Sequence, residues 1–497
     1  MKLPPHLVDL QHIIEKHARD FGLDFYDTLF EIVDYLRMNE VAAYGGFPVR
    51  YPHWRFGMEY ERLIKSHTYG LAQIYEMVIN NDPCYAYLME GNSLVDQKLV
   101  MCHVLGHNDF FKNNYYFSVT NRKMVDELAN HSTRIRRFME RFGVETVEQF
   151  VDLCLSLENL IDPMGQYIRR SPAPNRTPPS APEEEWNGNG VAKLDAKPYM
   201  DSYINPPEFL ASQQQRKADE MMKLTKLPAE PERDVFRFVM EHAPITRWQR
   251  GVMEIVLKEA EYFIPQRMTK IMNEGWATYW HSRLMTERVL EGPEVIEYAK
   301  VTAGVTASSP GNFNPYKMGL ELFRHIEDRW NKGQFGKEWE DCEDMATRSH
   351  WDRATGLGQD KIFEVRRIYN DVTFVDEFFT EDFCRKHMYY TFGFNNRRER
   401  WELESRAFAE IKQKLLFSLA NSGQPVILVE DANYGNRGEL LLRHRYEGMD
   451  LRKDYAQDVL TNLNRIWGRP VYILTQVGDS ETLLGFDGTT HQEKAVA

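Results

Sequence analysis

Two histidines four residues apart in an apolar run constrain this chain more than any other stretch. The run is Cys102-His103-Val104-Leu105-Gly106-His107-Asn108-Asp109-Phe110-Phe111. It is helix-permissive, and on a helix residues i and i+4 share one face, one turn apart. Both imidazoles can then reach one small cation. That is the geometric half of the HExxH metal motif. The chemical half is missing. The glutamate that activates water would follow the first histidine, and that position holds Val104.

A third ligand is available in Asn273-Glu274-Gly275-Trp276-Ala277. This segment resembles the Asn-Glu-Gly-Phe-Ala string of the aminopeptidase-N class, in which the glutamate is a zinc ligand on a later helix. By that resemblance His103, His107 and Glu274 form a set of three protein ligands with one open position, the pattern of a catalytic site. The implied cofactor is a divalent metal, zinc. The competing reading makes the histidines core residues capped by carbonyls, and Glu274 a helix N-terminal charge stabilised by the dipole. A buried, unpartnered glutamate is costly, and two neutral imidazoles with a divalent cation remove that cost. His281 stands two helical turns beyond Glu274. It reads as a fourth ligand, a supporting partner, a proton donor or an amphipathic surface histidine.

Candidates to replace the missing base are Glu90, Asp109, Tyr279 and His281. Asp109 lies two residues past His107, so on one helix it points away from the metal face. Glu90 precedes the helix across Gly91-Asn92 and can fold back over the site. Tyr279 is placed to stabilise an oxyanion. The segment Tyr44 to Arg50 reads as an edge strand, either an ordinary one or one that aligns a substrate above the site. Gly356-Leu357-Gly358 lacks the lysine and third glycine of a phosphate loop.

The hydrophobic patterning predicts a predominantly helical α+β chain. With 497 residues, two or three domains are expected. The main helical domain is placed at 1–395 and a small α+β domain with a mostly antiparallel sheet at 396–497. Within the first, residues 5–40 read as helical, 41–54 as extended, 57–78 as helical and 84–92 as a short strand. The histidine helix is expected at 93–112. A Pro- and Gly-rich stretch, 170–207, reads as an exposed insertion within the helical domain, or else as a domain boundary. Strands are expected at 426–429, 439–445, 471–475 and 482–486, with a helix at 453–467.

A net charge of -13 argues against a nucleic-acid or anionic-membrane partner. The basic run Arg397-Arg398-Glu399-Arg400 reads as a solvated helix face. Five cysteines without a CxxC pair suggest reduced thiols in a cytoplasm. No membrane span or apolar leader is evident, so a cytoplasmic location is expected.

Several strings together resemble the stage V sporulation protein R (SpoVR) family. They are Tyr44-Gly45-Gly46-Phe47-Pro48, Pro52-His53-Trp54, His103 through Asn114, Pro265 through Ala277, and Asn314-Pro315-Tyr316. The resemblance covers nearly the whole chain. It implies a bacterial, cytoplasmic protein with a part in spore cortex formation or in stress and stationary-phase physiology. It also implies association with a PrkA-type serine kinase and a von Willebrand factor A-type protein. The family brings no established reaction, so two readings stand. One is a zincin-like metalloprotein that hydrolyses an amide bond. The other is a non-catalytic regulatory or scaffold protein.

Overall fold

In the computed structural model the histidine run is one helix, Leu94–Asn113, here called the histidine helix. Ser93 and Asp96 start it with a reciprocal capping box. Every residue from Val100 to Phe111 is buried, so this is an interior helix, buried on every face. The glutamate string lies on a second interior helix, Lys270–Leu284, buried from Ile271 to His281. The structure describes residues 3–68, 76–168, 200–209, 211–212, 226–305, 313–395, 397–478 and 480–496. Residues 170–199 of the expected insertion lie outside the described residues.

The described chain is predominantly helical with small sheets, an α+β fold. It forms two compact units. One comprises Met1–Gln149 with Lys258–Gly423, the other Phe150–Leu257 with Gln424–Ala497. Among the described residues no helix is long and apolar enough to cross a membrane.

The first unit holds both interior helices and a three-stranded sheet. Its strands are β1 (Thr28–Val33), β2 (Glu76–Ile79) and β3 (Cys84–Met89), in the order β1-β3-β2. β1 and β3 run parallel, with Thr28 opposite Cys84, and β2 pairs antiparallel to β3. β1 corrects the expectation of helix across 5–40. The first helix ends at Asp20, and Gly22 follows at a positive φ of 93°. Thr28, Phe30 and Ile32 then face inward while Leu29 and Glu31 face out, which is the two-residue period of a strand. Asp34 caps the next helix, Tyr35–Ala43.

The extended segment expected at 41–54 is not a strand. Its first residues finish the helix Tyr35–Ala43, and Gly45 and Gly46 turn the chain at positive φ. Pro48 and Pro52 offer no N–H to a ladder, and Phe47 and Tyr51 are buried instead. The helix expected at 57–78 runs from Trp54 to Thr68, and Val78 belongs to β2. The basic run at 397–400 is not a helix face. Arg397, Arg398 and Glu399 lie in the turn between β4 (Thr391–Asn395) and β5 (Arg400–Ser405), and Arg400 begins β5.

The second unit is built on five strands, β6 (Val426–Tyr434), β7 (Glu439–Arg445), β8 (Val471–Val477), β9 (Ser480–Phe486) and β10 (His491–Ala495). Their order is β10-β9-β8-β7-β6. Only β7 and β8 pair parallel within it, and the helix Lys453–Trp467 makes the crossover that a parallel pair needs. Gly468, left-handed, ends that helix. β10 is short, polar and at an edge, so it carries little hydrophobic signal.

Two glycines let the interior helices meet. A β-carbon on Gly106 would stand 2.7 Å from the Cα of Ala277. One on Gly275 would stand 2.4 Å from the Cα of Gly319, on the helix Pro315–Asn331. The glutamate helix is thus clasped between two neighbours at backbone contact. The small residues of both family strings are packing residues.

Candidate metal centre

The polar residues after His107 hold the histidine helix in place. Asn108 accepts from the Tyr26 N–H and donates to the Tyr26 carbonyl and the Thr28 hydroxyl. Asp109 accepts from the Asp24 N–H and from Trp276 Nε1 on the glutamate helix. Asn114 donates to the carbonyls of Arg366 and Tyr369. The glutamate helix has no side-chain cap of its own at Thr269. Asp371 supplies one from a distance, accepting from the N–H groups of Ile271 at 2.8 Å and Met272 at 2.9 Å.

These ties bring His103, His107 and Glu274 together. One ligand atom from each lies within 4.8 Å of the others, and all three residues are buried. Glu274 Oε2 stands 3.6 Å from His103 Nε2 and 3.5 Å from His107 Nε2. It has no hydrogen-bond partner among the described residues. With metal–ligand bonds of about 2.0–2.2 Å, neighbouring ligands on a tetrahedron stand roughly 3.3–3.6 Å apart. The spacing is long for hydrogen bonds and fits the edges of a coordination shell. The two imidazoles meet edge to face, at 90° and 4.5 Å between centroids.

The charges suit a cation. Burial, with the neighbouring His103, pushes His107 down to about 4, so its imidazole is neutral at pH 7, the form that ligates. Burial alone would raise the Glu274 carboxyl. Contact with the imidazoles of His103 and His107, together with the charge of Lys270, outweighs it and holds the carboxyl well below its usual range. Glu274 Oε1 accepts from Lys270 Nζ at 2.6 Å.

The remaining candidates fall elsewhere. His281 Nδ1 lies 2.8 Å from His103 Nδ1, on the ring edge opposite Nε2. Glu90 is exposed in the turn after β3. The Tyr279 hydroxyl donates to Glu327 at 2.7 Å and accepts from Arg283 at 3.1 Å. Asp109 is fully buried, and burial raises its carboxyl to about 6 despite the nearby Arg366. Val104 is fully buried.

Lys270, Asn273 and Asp371 were not among the sequence candidates. Lys270 sits four residues before Glu274, and that spacing was a usable signal. Asp371 had none, standing a hundred residues from the N–H group it caps.

No solved structure matches the chain. The uncharacterized protein YcgB of Escherichia coli (strain K12) is 30% identical over 500 residues, spanning 94% of this chain and 91% of that protein. The family described as SpoVR like protein matches residues 3–424, and the one described as SpoVR-like C-terminal domain matches 425–478. The chain belongs to the SpoVR family.

Proposed function

We propose that this protein holds one divalent cation, zinc, on His103 Nε2, His107 Nε2 and Glu274 Oε2 in a zincin-like arrangement of two helices. The observation that carries this is Glu274 Oε2, buried, without a hydrogen bond among the described residues, and facing both Nε2 atoms at 3.5 and 3.6 Å. Two imidazoles and a carboxylate are donors that suit zinc. Such an ion, when bound, supplies Lewis acidity toward a carbonyl oxygen, the chemistry of amide hydrolysis. The chain's own residues orient the ligands and exclude water, and Lys270 holds the second oxygen of Glu274.

A second reading, a regulatory or scaffold protein that keeps the metal without hydrolysis, is favoured by a specific observation. Val104 fills the base position, Glu90 is exposed after β3, and Tyr279 is engaged by Glu327. In that reading the partners are the PrkA-type serine kinase and the von Willebrand factor A-type protein that the family implies. The role is spore cortex formation or stress physiology, in the cytoplasm.

Metal analysis of the purified full-length protein tests the centre. Wild type is expected to carry one zinc per chain, and His103→Ala, His107→Ala and Glu274→Ala to carry little. Unchanged zinc in all three variants would refute the assignment. Release of amines from a peptide library by the zinc-loaded protein separates the two readings.

A further inference from the structure

The glutamate helix contributes more than its ligand. Asn273 directly precedes Glu274, and its Oδ1 lies 2.9 Å from His107 Nδ1. His281, on the same helix, sets its Nδ1 2.8 Å from His103 Nδ1. Both groups are buried. An amide oxygen only accepts, so at His107 the hydrogen sits on Nδ1 and the lone pair on Nε2. At His103 two imidazole nitrogens share one hydrogen. When it sits on His103 Nδ1, His281 Nδ1 accepts and the His103 Nε2 lone pair also faces Glu274.

His281 Nε2 then carries an N–H that has no hydrogen-bond partner among the described residues. A position that served packing alone would be better filled by an apolar ring, because a buried donor without a partner is destabilising. The nitrogen that faces His103 is the reason to keep an imidazole there.

We propose that Asn273 and His281 are positioning residues of the metal centre. Each accepts the Nδ1 hydrogen of one ligand histidine, and together they turn both Nε2 lone pairs onto Glu274 Oε2. The inference rests on the metal reading of the centre. It assigns His281 a supporting place, because the nitrogen it presents meets the edge of His103 away from Glu274. One helix therefore carries one ligand and the orienting group for each of the other two.

The test uses the full chain, stripped with a chelator and titrated with zinc against a chromophoric competitor. Cobalt titration supplies a visible ligand-field spectrum as a second readout. Asn273→Ala and His281→Phe remove the acceptor on one side each. Each is expected to weaken zinc binding by about 10–100-fold and to change the cobalt spectrum. Asn273→Asp and His281→Asn restore an acceptor and are expected to bind close to wild type. Melting of the zinc-free proteins identifies any variant that does not fold, and the variant on the other histidine then carries the test. Wild-type affinity in a folded Asn273→Ala or His281→Phe protein would overturn this inference and leave the metal reading standing. A wild-type protein that binds no zinc would overturn both.

Discussion

Gly106 of the histidine helix lies against Ala277 of the glutamate helix so closely that an added β-carbon would meet the Ala277 Cα at 2.7 Å. That contact sets the distance between the two helices, and so the distance from His103 and His107 to Glu274. The obstacle is backbone, which cannot rotate away.

Gly106→Ala is therefore expected to destabilise the protein by about 1–3 kcal/mol, the usual range for overpacking, and to weaken zinc binding. The control is Gly57→Ala, in the exposed part of another helix with nothing within 4 Å of the added carbon. There the better helix propensity of alanine is expected to stabilise by roughly 0.5–1 kcal/mol. Thermal melting of both variants checks the pair. Equal effects would mean that the Gly106 contact does not set the packing.

Asp371 predicts a pH dependence. Burial raises its carboxyl to about 7, although the N–H groups of Ile271 and Met272 and the charge of Lys270 pull it down. In the unfolded chain the value is about 3.9. A group raised on folding contributes stability that is fully present below its unfolded value and lost as pH rises through its folded value. Wild type should therefore lose stability relative to Asp371→Asn between about pH 4 and pH 7, by on the order of 3–4 kcal/mol in all. Urea titrations of both proteins at pH 4.5, 6 and 8 measure the difference. A difference that grows in favour of wild type over that range would contradict the assignment.

Asp109 is expected to behave as a structural residue. It accepts from Trp276 Nε1 at 2.7 Å and from the Asp24 N–H at 2.8 Å, with Arg366 Nη1 at 3.4 Å. Asp109→Asn keeps the shape and removes the charge opposite a buried guanidinium. A loss of about 1–3 kcal/mol is expected, with zinc stoichiometry unchanged. Loss of zinc without loss of stability would give Asp109 a place in the centre that its bonds do not suggest.

The two interior helices were legible in the sequence for a physical reason. Each is an apolar run whose few polar residues are chemically unusual, and Ser93 with Asp96 marks where the first begins. The sheet beside them was obscured. Tyr26, Leu29, Ile32, Val33 and Leu36 recur at helical spacing, yet Leu29 is exposed on β1 and the inward set is Thr28, Phe30 and Ile32. The prolines and aromatics of 44–54 suggested an extended ribbon, but Phe47 and Tyr51 are core residues of an irregular segment. His103, His107 and Glu274 could be singled out because buried residues of these types are rare in helices of this kind, and the fold brings them together. Their supports could not all be named, since the cap from Asp371 comes from far along the chain.

The central claim is that His103, His107 and Glu274 share one ion, and X-ray absorption at the zinc edge of the purified full-length protein tests it most directly. The expected spectrum has two imidazole nitrogens at about 2.0–2.1 Å and carboxylate oxygen at about 2.0–2.2 Å, without sulfur. The imidazole scattering should disappear in the His103→Ala, His107→Ala double variant. Sulfur near 2.3 Å, or imidazole scattering that survives in that variant, would contradict it.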